Sequence, residues 1–379
     1  VTAGSVDQRE TAPLFAFSPE QAELRATVRR FLAETSPEAE VRRLMETEPG
    51  YDQGVWSRLV GELGLAGLAV PEGFGGSGFG FVDLQIVCEE MGRALLCAPF
   101  LSSAVLAAQA LLASGDSAAC AEYLPGLAEG AVLGTLALTE AAGRWTTDGL
   151  TTTAEGDRIT GQKMYVLDGH VADLLLVVAR TPAGPSLFAV DAQAPGVHRE
   201  PLPTLDATRR QARLTFDAAP ARPIGVDGGA AAVMERTLDR AAAALAAEQA
   251  GGARRVLEMA VEYGCVRHQY GRPIGSFQAI KLKCADMLLD VELATSAAYA
   301  AGWAVDADDP EAGVLAGLAA AHCSEAYRRC AAENIQVHGG IGFTWEHPAH
   351  LYFKRATSSE AMFGAPREHL ARVADRLGF

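Results

Sequence analysis

The sequence predicts three consecutive parts: an all-α part over residues 1–127, a middle antiparallel β domain over 128–225, and a C-terminal four-helix bundle over 226–379. Three observations predict it. Apolar residues recur at helical spacing through the first part, short alternating runs separated by turn signals fill the second, and four long helical patterns with short breaks fill the third.

In SPEQAELRATVRRFLAE, residues 18–34, Ser18 can cap a helix whose Leu24, Val28 and Phe31 form one apolar stripe. Helical patterns return in VWSRLVGELG, in DLQIVCEEMGRALL at 83–96, in LSSAVLAAQALLAS and in AACAEYLPGLAEG. Between two of them lies GLAGLAVPEGFGGSGFG, whose glycines and Pro71 predict a shaped loop. The middle part alternates in VLGTLALTE, DLLLVVAR, SLFAVD and RQARLTFDAA, with turns such as AEGD and TPAGP between the runs. After GVDGGA the helical patterns lie near 233–266, 277–306, 311–337 and 347–377.

Apolar residues make up 49% of the chain and charged residues 21%, a globular balance. A formal net charge of −15 works against nonspecific binding of nucleic acid or anionic membranes. The seven cysteines are scattered, with no CxxC pair and no metal-ligand spacing, so reduced thiols and no metal site are expected. VTAGSVDQRETAPLF has neither a basic start nor an apolar run, and no segment supplies the roughly 20 apolar residues of a membrane span. The expected location is the cytoplasm. No G-x-G-x-x-G opens a βαβ unit and no phosphate-binding G-x-x-x-x-G-K-[ST] loop is present. A dinucleotide would have to bind without a doubly wound sheet.

Three segments, LGLAGLAVPEGFGGSG at 63–78, VEYGCVRHQYGRPIGSFQAIKLKCADM at 261–287 and ENIQVHGGIGFTWEHPAHLYFKRA at 333–356, together resemble the acyl-CoA dehydrogenase family. LTE at 138–140 and ITGQKMYVLDG at 159–169 fall between them in the family's order, so the resemblance spans the chain. It is most similar in kind to actinobacterial subunits acting on steroid side chains and branched acyl-CoAs. The resemblance implies an FAD enzyme that removes the α and β hydrogens of an acyl-CoA and passes electrons to an electron-transfer flavoprotein. It implies that FAD lies between the β domain of one subunit and the bundle of another, in a homotetramer or an α2β2 heterotetramer with a related subunit.

The same resemblance marks the residues toward FAD. Arg267 matches an arginine that reaches the pyrophosphate and Gln278 a glutamine that contacts the cofactor, while Arg272 could serve an interface instead. Gln336, Gly339 and Gly340 match the bundle segment near the adenosine, where glycine permits close backbone approach. His338 reads better as a packed or capping histidine than as a base. Thr139 and Tyr165 match the flavin face of the β domain, but Leu167 stands where many relatives have a hydroxyl, and AAGRWTT replaces the usual Gly-Ser-Asp pattern.

Abstraction of the α proton requires a carboxylate. Arg355 occupies the position where many members carry their catalytic glutamate, and an arginine cannot accept that proton. At the family's second base location stand Arg240 or Ala241, with Asp239 one residue away. Glu248 lies seven residues after Ala241, on almost the same helical face and about 10.5 Å further along. It has no basic residue three or four positions away, and Gly251 and Gly252 suggest space beside it. Glu248 is therefore the expected catalytic base, with an interhelical salt bridge as its structural alternative, and Glu360 is a poorer candidate. Competing expectations are a base-deficient subunit of a mixed oligomer, an acyl-thioester binding protein without dehydrogenation, and a flavin oxidase.

Overall fold

The computed structural model describes residues 16–379. The amino-terminal stretch read above for targeting signals lies outside them.

Six helices build the first part: α1 (Pro19–Thr35), α2 (Glu38–Met45), α3 (Gln53–Gly61), α4 (Phe81–Ala94), α5 (Ala108–Ser114) and α6 (Ser117–Ala128). Ser18 caps α1 as expected, accepting from the Gln21 amide while the Gln21 side chain accepts from the Ser18 amide. A π-helical stretch, Leu101–Ala107, runs directly into α5. The glycine-rich segment before α4 holds two short 3-10 turns, and a Cβ on Gly76 would lie 2.0 Å from the Val70 carbonyl oxygen, so only glycine fits there.

The middle sheet has eight strands: β1 (Gly134–Ala137), β2 (Thr153–Glu155), β3 (Arg158–Leu167), β4 (Leu174–Thr181), β5 (Gly184–Asp191), β6 (Val197–Pro201), β7 (Gln211–Pro220) and β8 (Arg222–Ile224). Its order is β6-β7-β3-β2-β4-β5-β8, with β1 beside β4. Most pairs are antiparallel, but β1 runs parallel to β4, and β2 meets β4 in parallel at Thr153 and Arg180. The sheet is therefore mixed, which alternation alone does not reveal, because strand direction is set by the connections. Ile159, Leu175, Val177, Phe188 and Leu214 form its core.

The last part contains α7 (Ala230–Val266), α8 (Gln278–Asp306) and α9 (Ala312–His338), with a small hairpin, β9 (His268–Gln269) and β10 (Arg272–Pro273), between α7 and α8. The fourth expected helix is broken into α10 (Ala349–Glu360) and α11 (Pro366–Leu377). At the break Phe363 and Gly364 have φ of 59° and 121°, and Pro366 starts the new helix. Alanine and glycine let these helices approach closely: a Cβ on Gly251 would lie 1.9 Å from the Glu89 carbonyl, and one on Gly252 2.5 Å from the Tyr327 ring. The space expected beside Glu248 is thus filled by α4 and α9. No helix among the described residues is long and apolar enough to cross a membrane.

Candidate functional site

Arg355 and Glu248, weighed separately in the sequence, meet in the interior. Arg355 on α10 is 2% exposed, and its Nη1 donates to Glu248 Oε1 at 2.9 Å. Its Nε donates to Asp206 Oδ2 at 2.8 Å and its Nη2 to Thr208 Oγ1 at 2.6 Å. Arg209 comes from the loop between β6 and β7 and donates from Nη2 to both carboxylate oxygens of Glu248. Its Nη1 reaches Ser359 Oγ at 3.2 Å and Met362 Sδ at 3.4 Å.

The free base expected at Glu248 is corrected by these contacts. Helical spacing showed no basic neighbour, but Arg209 arrives from another domain and Arg355 from another helix. Burial by itself would raise the Glu248 pKa, yet Arg209 and then Arg355 outweigh it and hold the carboxyl below its ordinary value. The carboxylate is stabilised as an anion with its lone pairs engaged, which makes it a weak proton acceptor. Burial also opposes the charge on Arg355, and Asp206 and Glu248 overcome that effect and raise its pKa.

Arg209, Arg210, Glu248, Arg355 and Asp168 line a cavity of about 30 Å³ whose apolar wall includes Cys88, Met91, Leu96, Leu101 and Leu167. That is room for about one water. Asp168, at the end of β3, accepts a 2.6 Å hydrogen bond from Ser102. Burial pushes its carboxyl up to about 6, against Ser102, Arg209 and Arg355.

The other carboxylates considered as bases are also engaged. Asp239 binds Arg376 at 2.8 and 3.0 Å, and Glu360 pairs with Arg328 at 3.0 Å. Arg240 is likewise held, by Gln109 and Asp308.

The residues expected toward FAD divide into two groups. Arg267 ends α7 and Gln278 begins α8, both exposed, and the Arg267 carbonyl accepts from the Ile274 amide across the hairpin. Gln336, Gly339 and Gly340 lie at the C-terminal end of α9, also exposed, and a Cβ on either glycine would meet nothing within 4 Å. The Tyr263–His338 ring contact at 4.3 Å ties the ends of α7 and α9 together. His338 is buried, packs against His347 at 4.1 Å, and burial lowers its pKa, which fits its structural reading. This end of the bundle offers an exposed guanidinium, an amide and an open glycine edge, donors suited to a pyrophosphate and an adenosine. Arg272 instead covers the Phe277 ring at 4.1 Å.

The middle-domain group is less open. Thr139 is 2% exposed and its hydroxyl donates to the Met164 carbonyl, so that proton is engaged within the sheet. Leu167 is buried. Tyr165 is 39% exposed at a β-bulge with φ of 58°, an aromatic side chain with free ring surface. Beneath it Lys163 donates to Glu140 at 2.9 Å and to the Leu138 carbonyl at 3.0 Å. Burial would raise the Glu140 pKa, but hydrogen bonds from Thr151, the Thr152 amide and Lys163 pull it down to about 2. LTE and KMY are thereby pinned together.

Arg209, Asp206 and Thr208 were missed by sequence reading. They lie in PLPTLDATRRQ, which carries no motif of the resemblance used above, and only the fold brings them beside α7 and α10.

A middle sheet between two helical parts, with an exposed guanidinium, an amide and open glycines at one end of the bundle, is the architecture of a flavoprotein dehydrogenase. The chain belongs to the acyl-CoA dehydrogenase family, whose members are FAD-binding oxidoreductases: the family's N-terminal domain matches residues 18–131, its middle domain 135–219 and its C-terminal domain 227–378. It is 39% identical to "Acyl-CoA dehydrogenase IpdE2" of Mycobacterium tuberculosis over 350 residues, covering 92% of this chain and 95% of that protein. Among solved structures, it resembles a variant of the "Tcur3481-Tcur3483 steroid ACAD" with a TM-score of 0.86 at 32% identity, covering 94% of this chain and 97% of that one. The ChsE4-ChsE5 complex from Mycobacterium tuberculosis gives a TM-score of 0.86 at 31% identity, covering 96% and 98%.

Proposed function

We propose that this chain works as a base-deficient, flavin-supporting subunit of an acyl-CoA dehydrogenase that contains a related, catalytic chain. The observation that carries the reading is the clasp of Arg209 and Arg355 on Glu248, which keeps that carboxylate engaged and leaves about 30 Å³ beside it. Within the assembly FAD, when bound, supplies the acceptor for the β-hydrogen. This chain contributes Arg267 to the pyrophosphate, Gln278 to the cofactor's edge, and Gln336, Gly339 and Gly340 to the adenosine. The α proton goes to a carboxylate of the related chain.

Spacing along α7 supports a shared flavin. Glu248 and Arg267, the C-cap of α7, are nineteen residues apart, about 28 Å along the helix axis, so the exposed donors lie far from this chain's own interior cluster. Tyr165 and Thr139 remain proposed flavin neighbours, with Tyr165 offering stacking area and Thr139 only backbone and acceptor groups. Exposed leucines on α8, Leu282, Leu289 and Leu293, recur at intervals of seven and four, which favours burial against another subunit. The proposed substrate class is a bulky, steroid-derived or branched acyl-CoA, supported by likeness to the protein called a steroid ACAD. The proposed acceptor of the electrons is an electron-transfer flavoprotein.

The test is an anaerobic titration of the FAD-loaded chain with straight, branched and steroid-side-chain acyl-CoAs, alone and with its co-purifying partner. Bleaching of the flavin is expected only with the partner present. Bleaching by the chain alone overturns the base-deficient reading.

A further inference from the structure

We propose that Arg209 is the residue that closes this chain to an acyl thioester, its side chain occupying the space that an acyl group would otherwise take. This rests on the reading of the chain as base-deficient and names the residue responsible for exclusion. Arg355 marks where the family resemblance places the base, and Arg209 reaches from the β6–β7 loop to Glu248, the carboxylate that Arg355 also binds, so its side chain spans the interior between the middle domain and α7. One side of the wall is apolar, with Cys88, Met91, Leu96, Leu101 and Leu167, an environment suited to an alkyl chain, while Glu248, Asp168, Arg210 and Arg355 make up the charged side that holds the guanidinium.

The loop is held in place so that the side chain cannot simply swing out. Next to Arg209, Arg210 donates to the carbonyls of Met45 and Thr47 in the N-terminal part. On its other side Thr208 and Asp206 are bound by Arg355. Asp206 also accepts from the Thr208 amide at 2.9 Å. Three parts of the chain thus seat one loop. Glu248 compensates the charge that this loop delivers, which explains why a buried carboxylate stands on an otherwise alanine-rich stretch of α7.

The experiment compares binding of coenzyme A and butyryl-CoA by the full chain, before and after Arg209→Ala combined with Glu248→Gln, a pair that removes the plug without leaving a carboxylate unpaired. Calorimetric titration of the wild-type chain is expected to show no preference for butyryl-CoA over coenzyme A. The double variant is expected to prefer butyryl-CoA about tenfold, as burial of a short alkyl chain would give. A clear acyl preference in the wild-type chain overturns the proposal, whether or not the variant folds. So does a folded double variant, judged by a sharp thermal transition, with no acyl preference. Failure of the base-deficient reading is read separately, as flavin bleaching by the wild-type chain.

Discussion

Arg209 of the β6–β7 loop places one guanidinium nitrogen against both carboxylate oxygens of Glu248, a residue thirty-nine positions later in the chain. With Arg355 donating to the same carboxylate and to Asp206, two cations and two anions alternate in a buried row between the middle domain and the bundle. Such a row is weak evidence of net stabilisation, but breaking it leaves a charge without its partner.

Arg355→Met should therefore cost about 3–5 kcal/mol of unfolding free energy. It strands Asp206 and leaves Glu248 with one guanidinium. Arg213→Ala, which removes the exposed pair with Glu200, should change stability by less than about 1 kcal/mol. Urea denaturation of the two variants side by side measures the difference.

Glu248→Gln should lower stability by removing the anion that Arg209 and Arg355 share. Flavin reduction by acyl-CoA in the reconstituted assembly should be unchanged per flavin. Stopped-flow absorbance decides it, and a large loss of the reduction rate with FAD retained would make Glu248 the base after all.

Asp168 supplies a pH dependence. Its folded pKa, about 6, lies above the value of an exposed aspartate. The native state therefore holds its proton more tightly, and the associated stability is present below about pH 4 and lost as pH rises through about 6. Asp168→Asn keeps an acceptor for Ser102 and should raise stability by on the order of 2 kcal/mol at pH 7.5. The gain should vanish near pH 4. Arg209, Arg210, Arg355 and Glu248 line the same cavity, so their charges must remain in place for the comparison.

Arg267→Ala should weaken FAD binding by about ten- to a hundredfold, the range expected for a lost charge-assisted hydrogen bond. Since Arg267 is exposed, the thermal transition of the flavin-free chain should not move. Retention of FAD on gel filtration would place the pyrophosphate elsewhere.

Local patterns carried most of the fold. The Ser18 cap, the stripe through Val28 and Phe31, and the long alanine-rich helices depend on residues a few positions apart, and so can be read from order alone. The break between α10 and α11 was less visible, because Met362 and Phe363 look like continuation of an apolar stripe while Phe363 adopts a left-handed backbone. The parallel placement of β1 was hidden for a different reason: it depends on where the chain crosses over, not on which faces are apolar.

By itself the sequence determined the helix, sheet, helix arrangement, the family, and the presence of an arginine where a base would be expected at position 355. Whether Glu248 was free was decided only in three dimensions. Helical spacing reports neighbours on the same helix, and none of them is basic. Arg209 comes from a loop whose position follows from the docking of one domain on another, and Arg355 from a separate helix, so the carboxylate's ionisation and its availability to a substrate proton are properties of tertiary packing.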